Sequence, residues 1–383
     1  MSLKKAAFAI CALVAASGGL VSAIPNPNGS YSGPRAVGEI IYEEGEVTIH
    51  RGREVLRGKD ADIGVQILSY DLVTTGPGSR VEVDLASAAA GGAIVKVSER
   101  TSFYFDTATP GDGSRKTTIR LLSGSILCKV EKLAGGSFSI SSGHAALGVR
   151  GTTFAVDYSA EGSVLVSCVE GQVACTGSDG SEYRAAPGSL VEADPDGSLS
   201  SREVPVEKLL ANRSSWLYAK ASSIENNGAS IFLDASKELA AARPAFSVAM
   251  ERFDSEAPTL ASWEELLAQG KSFGPTERLS ERKALSQSLL VCLRALPGLE
   301  RPFYRLADLA KRDEDGKKLG GSFSDLKRLG PALQEFRAGA ERDELSLARI
   351  RRALFVFSRM EGDSPLGQFF AEKAEILGMP SGF

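Results

Sequence analysis

Arg150-Gly151-Thr152 is the grouping with the clearest chemical potential. A guanidinium can grip a carboxylate through two parallel hydrogen bonds. Gly151 permits a tight backbone, and Thr152 can bond nearby backbone groups. Glu170, in the next strand region, is the candidate partner for Arg150. The expectation is a structural pair tying two strands; the functional alternative is an acidic ligand on Arg150. Cysteine is the second group to weigh. Besides Cys11, in an N-terminal apolar stretch, the chain has Cys128, Cys168, Cys175 and Cys292. Cys128 and Cys175 each follow a glycine by four residues, so stacked units would bring them together. Cys168 and Cys175 could instead meet across a hairpin. Disulfides and buried thiols both remain open for Cys128, Cys168 and Cys175. No CxxC occurs, which leaves redox catalysis and zinc without a motif.

Histidine bears most on enzymatic chemistry. There are two, His50 and His144, with no metal-ligand spacing between them. Gly91-Gly92 and Gly135-Gly136 lack the Gly-Lys-Ser/Thr of a phosphate loop. The expectation is therefore no enzyme, no cofactor and no metal. The basic run Arg349, Arg351, Arg352 and Arg359 reads as the solvated face of a helix, with lipid or acidic-partner docking as the alternative.

Two kinds of element must position these groups. Before residue 200 the apolar residues alternate: Val81, Val83 and Leu85; Val95 and Val97; Phe103 and Phe105. Twenty-five of the 40 glycines lie in residues 24–200. Turns read at Thr75-Gly76-Pro77-Gly78, Pro110-Gly111-Asp112-Gly113 and Gly177-Ser178-Asp179-Gly180. A short unit recurs at Glu44-Gly45-Glu46-Val47, Ser123-Gly124-Ser125-Ile126 and Glu170-Gly171-Gln172-Val173. Its glycine suits a bulge or a corner with positive φ. After Val206 the period turns helical. Leu285, Leu289, Leu293 and Leu296 form one stripe, expected to end at Pro297-Gly298. Phe323, Leu326, Leu329, Leu333 and Phe336 form a second, and Leu347, Ile350, Leu354 and Phe357 a third. Five to seven helices are expected.

Lys4 and Lys5, then the apolar stretch Ala6–Val21, then Val21-Ser22-Ala23 are ordered as in a secretory signal peptide. The composition is that of a folded soluble protein: 43% hydrophobic, 24% charged, net charge −4. That charge does not favour nucleic acid.

The stretch from Val37 to Glu192 resembles the FecR domain family. Val37-Gly38-Glu39 opens it, and Asp71-Leu72-Val73-Thr74-Thr75-Gly76 is similar to a family turn. Val149-Arg150-Gly151-Thr152-Thr153-Phe154-Ala155-Val156 sits beside the "VRGT-x-F-x-V" signature, followed by Glu170-Gly171-Gln172-Val173 and Ala186-Pro187-Gly188. The resemblance implies an extracytoplasmic β domain, and in the founding members an envelope signal transducer with a cytoplasmic anti-sigma segment. Only five residues precede the apolar stretch, so that segment is not expected here.

The resulting expectation is a signal peptide (1–23), a linker (24–36), an all-β domain (37–198) and an all-α helical bundle (199–383). The β domain would be a jelly-roll or β-helix-like stack of short antiparallel strands. In this reading the protein is a non-catalytic periplasmic or otherwise extracytoplasmic module. It would bind an envelope protein or polymer, not nucleic acid, and have no transmembrane segment after signal cleavage. The alternative is a sensory component acting through a separate membrane partner. A glycan-acting enzyme is a more remote alternative.

Overall fold

Alternating apolar residues between glycine turns give strands, and the leucine stripes give helices. The computed structural model describes residues 36–378 except 86–91, 109–115, 132–136, 150, 272, 275, 362 and 363. The signal-peptide and linker assignments, the Pro110-Gly111-Asp112-Gly113 turn and Arg150 lie outside the described residues.

The strands are β1 (Gly38–Glu44), β2 (Val47–Arg51), β3 (Glu54–Arg57), β4 (Gln66–Ile67), β5 (Leu72–Thr75), β6 (Arg80–Leu85), β7 (Ala93–Val97), β8 (Ser102–Ala108) and β9 (Lys116–Val130). They continue as β10 (Ser137–Ser142), β11 (Ala145–Val149), β12 (Thr153–Tyr158), β13 (Val164–Glu170), β14 (Val173–Gly177), β15 (Glu182–Ala185), β16 (Ser189–Ala193) and β17 (Leu199–Glu203).

These strands pair into two faces. One runs β4-β1-β6-β7-β9-β12-β13-β16-β17. The other runs β3-β2-β5-β8-β9-β10-β11-β14-β15. Strand β9 belongs to both: its first part pairs with β8 and β10, and from Gly124 onward it pairs with β7 and β12. Among the described residues the β9–β10 pairing alone is parallel.

Register places apolar side chains in rows between the sheets. In the first sheet Val83, Val95, Cys128, Phe154 and Cys168 are successive cross-strand neighbours. In the second, Phe105, Ile119, Ile140, Leu147 and Cys175 form the matching row. All ten belong to one buried cluster. Because strand side chains alternate, the residues between them face outward. On β13 those are Leu165 and Ser167, and both are nevertheless buried. The helices cover that outer face.

The helices are α1 (Leu209–Asp254), α2 (Ala257–Ala268), α3 (Leu279–Glu314), α4 (Phe323–Glu361) and α5 (Pro365–Gly378). The described strands and helices pack as one compact unit. Leu68, Leu72, Tyr104 and Leu122 of the β part join the helical core. Leu165 and Leu190 pack with Leu209 and Trp216 at the start of α1.

Three expectations are corrected. The first stripe does not end at Pro297-Gly298: α3 continues through Pro297 and Pro302 to Glu314. Burial of Leu285, Leu289, Leu293 and Leu296 on one face offsets the hydrogen bond that an interior proline removes. The second and third stripes lie on one helix, α4, which runs through Pro331. Phe323 and Leu326 at its start are exposed, whereas Leu329, Leu333 and Phe336 are buried. The basic run is no open face: Arg351 is 3% exposed and paired with Glu300 and Glu344. Arg352 reaches Glu264, and Arg349 pairs with Asp254.

Candidate functional site

The recurring glycine units lie where the chain leaves one sheet for the other. Gly45 separates β1 from β2, Gly124 divides β9, and Gly171 separates β13 from β14. All three have φ between 82° and 88°. Each glycine backs onto a hydroxyl residue from a neighbouring corner: Ser79, Thr101 and Thr152 respectively. In the first two corners the residue after the glycine donates its N–H to that hydroxyl. Glu46 N reaches Ser79 Oγ at 2.8 Å, and Ser125 N reaches Thr101 Oγ1 at 3.0 Å. The third corner departs from this: Thr152 turns its methyl to Gly171, and its buried hydroxyl has no hydrogen-bond partner among the described residues.

The structure thus brings Gly151, Thr152 and Gly171 into contact. Thr153 opposes Glu170 across β12 and β13, and Phe154 is fully buried between Cys128 and Cys168. Glu170 itself is exposed. The Gly171 corner also rules out a β13–β14 hairpin, because β13 pairs with β12 and β16 while β14 pairs with β11 and β15. Cys168 and Cys175 therefore sit in opposite sheets rather than across a turn. Cys128, Cys168, Cys175 and Cys292 are free and buried. Burial pushes the thiols up, Cys168 to about 11 and Cys175 and Cys292 to about 12. A thiol held protonated at neutral pH is a weak nucleophile.

The richest polar chemistry lies at the junction of the sheets with the helices. Asp157 of β12 is fully buried and accepts two hydrogen bonds from Arg213 of α1, at 2.7 and 2.6 Å. Arg305 of α3 donates Nε–H to the Ala160 carbonyl at 2.9 Å and Nη2–H to the Glu161 carbonyl at 3.0 Å. Its third nitrogen reaches Glu238 of α1 at 2.8 Å. Trp216 of α1 donates to Glu192 of β16 at 2.7 Å. Deeper in, Tyr104 of β8 donates to Glu300 of α3 at 3.3 Å. Arg351 of α4 bonds the Tyr304 hydroxyl at 3.0 Å and Glu344 at 2.7 Å. Burial raises the Glu300 carboxyl, and the Arg351 guanidinium opposes that rise. Removing one partner of such a buried pair costs about 3–5 kcal/mol. The junction therefore fixes how the two layers meet.

Both histidines also face this junction. His144, between β10 and β11, lies 3.3 Å from Arg301 of α3. Burial, with Arg301 and Arg305 nearby, lowers it to about 4. Burial lowers His50 too.

Sequence reading passed over Asp157 and Arg305, and named Asp71 only as part of a family-like turn. Asp71 accepts three hydrogen bonds from Arg51 and one from Leu68 N. A signal existed for Asp157: a lone carboxylate inside the apolar run Phe154-Ala155-Val156-Asp157-Tyr158. A charge on a strand buried on both sides needs a partner from outside the sheet.

Comparison with known proteins adds a family. Residues 71–174 match the FecR protein family. That stretch runs from the residue before β5 into β14, and takes in the central strand β9 and the Gly151-Thr152-Gly171 corner. Two crystal structures from Parabacteroides distasonis ATCC 8503, each described as a candidate anti-sigma factor, are similar in part. One is 19% identical, with a TM-score of 0.31, covering 38% of this chain and 64% of that one. The other is 18% identical, with a TM-score of 0.31, covering 37% and 62%. The chain thus spans less than two thirds of either relative. No curated protein matches it.

Proposed function

We propose that this protein is a regulatory component of an envelope signalling system. Its FecR-type β module would lie outside the cytoplasm, make no covalent chemistry and act through a separate membrane partner. The observation that carries the reading is the FecR match over residues 71–174.

Further support comes from the chain itself. The order of basic, apolar and small residues in 1–23 is that of an export signal. Among the described residues no helix is long and apolar enough to cross a membrane. The buried thiols and lowered imidazoles sit in packed or ion-paired surroundings, which suits a recognition module better than a nucleophile or a general base.

Capture of the tagged full-length protein from envelope extracts, paired with transcript profiling of a deletion strain, tests the reading. The expected result is recovery of a membrane-spanning sigma-regulating protein and a changed small set of transcripts. Recovery of only peptidoglycan or an outer-membrane protein, with unchanged transcription, would replace it with an envelope scaffold.

A further inference from the structure

One face of α1 is covered along part of its length and bare along the rest. Steps of three and four residues mark a single helix face. From Ala229 onward that face holds Ala229, Phe232, Ser236 and Leu239, and all but Ser236 are buried. Phe232 meets Phe336 of α4 edge-on, with ring centroids 6.0 Å apart. Further along, Arg243 bonds Asp343 of α4 at 2.7 Å. Traced backward, the same spacing gives Glu225, Ser222, Tyr218, Ser215, Ala211 and Lys208. Ser222 is half-buried and the other five are exposed. Tyr218 is 76% exposed.

The connection between α3 and α4 marks the boundary. Gly320 donates its N–H to the Glu225 carbonyl at 3.0 Å, and its own carbonyl accepts from Ala229 N–H at 2.8 Å. Phe323, three residues further on, is 87% exposed, and Leu326 is exposed as well. At the other end of the bare stretch, Val206 and Leu210 are exposed. The opposite side of this stretch is anchored. Leu209 and Trp216 pack with Leu165 and Leu190, and Arg213 holds Asp157. The bare face is therefore presented by a fixed helix. Between Lys208 and Glu225 no exposed residue is charged, whereas a solvated helix face normally carries charge.

We propose that a second copy of this chain covers the bare stretch, helix against antiparallel helix about a two-fold axis. Such a contact needs a surface that complements itself. Lys208 stands at one end of the stripe and Glu225 at the other. An antiparallel pair therefore brings opposite charges together twice, whereas a parallel pair sets like charges against each other. The apolar residues follow the same rule: Val206 and Leu210 at one end meet Phe323 and Leu326 near the other. With Lys208 opposite Glu225, Tyr218 lies opposite Ser215 and Ala211 opposite Ser222. Small residues there let the helices approach closely, and Tyr218 is the large anchor, a residue type favoured at interface centres. The contact spans about 25 Å of helix. It also continues the packing that α4 already makes on the second half of the same face. This surface neither needs the signalling reading nor supports it.

Sedimentation equilibrium of the full chain tests the contact. The expected result is a reversible dimer that Tyr218→Glu weakens at least about tenfold, in protein whose melting temperature is unchanged. Lys208→Glu and Glu225→Lys should each weaken it about threefold, because each sets like charges opposite one another. The double variant, Lys208→Glu with Glu225→Lys, should restore the dimer, since both pairs are then simply reversed. A chain that stays monomeric up to about 1 mM would overturn the proposal and leave the face to a different protein. So would a dimer that Tyr218→Glu leaves intact, or a double variant that dimerises no more tightly than the single ones.

Discussion

A methyl group on Gly171 would lie 2.5 Å from the Gly151 carbonyl oxygen and 2.6 Å from the Thr152 methyl. Neither neighbour can swing away, because both belong to the corner backbone or its buried side chain. Gly171→Ala therefore combines left-handed strain with a clash, and is expected to cost at least about 2 kcal/mol in urea unfolding. Gly180 is the control: it has a similar φ of 79° but open space around it. Gly180→Ala should cost only the strain, about 1–2 kcal/mol. Equal costs at the two positions would remove the packing argument. His144 supplies the pH dependence. The unfolded imidazole takes a proton near pH 6.5, whereas the folded one resists until about 4. Between those values the unfolded chain binds the extra proton, so this group's stabilisation is lost as pH falls from 6.5 towards 4. The loss approaches about 3 kcal/mol before solvent screening reduces it. The difference in stability between the wild type and His144→Gln should vary across that window and be flat above pH 7.5. A flat difference throughout would show that His144 titrates normally.

Elements were legible from the sequence where one face decides the outcome. The alternation of Val81, Val83 and Leu85 marked β6, and the recurring units marked corners where glycine takes a positive φ. Helix ends were not legible, because proline is a local signal while helix continuity here is set by packing. Pro244, Pro297, Pro302 and Pro331 all lie inside long helices. Pro297 is only partly buried, so its ring has little packing to lose. Pro297→Ala is expected to restore a backbone hydrogen bond and raise stability by roughly 1–3 kcal/mol. A lower melting temperature in this variant would mean that the ring fills space the fold requires.

At the scale of the whole molecule, the helices act as the outer cover of the sandwich. Leu72, Tyr104, Leu122, Leu165 and Leu190 of the β part are buried in clusters shared with helical residues. Losing that burial forfeits about 1.5–3 kcal/mol for each large side chain. Five of them amount to about 10 kcal/mol, the size of a whole domain's net stability. A fragment ending at Pro205 would also leave Asp157 without Arg213. Such a fragment is expected to aggregate or bind hydrophobic dyes, as read by size-exclusion chromatography and dye fluorescence. A monodisperse, cooperatively unfolding fragment would show that the β part stands alone.

Sequence alone determined the two element types, the need for positive φ at the recurring glycines and the family resemblance around Arg150-Gly151-Thr152. Those are local properties: periodicity of two or 3.6, and positions where only glycine tolerates positive φ. Tertiary structure decided what faces what. It placed Cys168 and Cys175 in opposite sheets, turned Arg351 from an expected surface charge into a buried one, and met Asp157 with Arg213, 56 residues away. It also buried two nitrogens of Arg100 with no hydrogen-bond partner among the described residues. Pairing across long separations depends on how whole layers pack, and that information is absent from any short window of the chain.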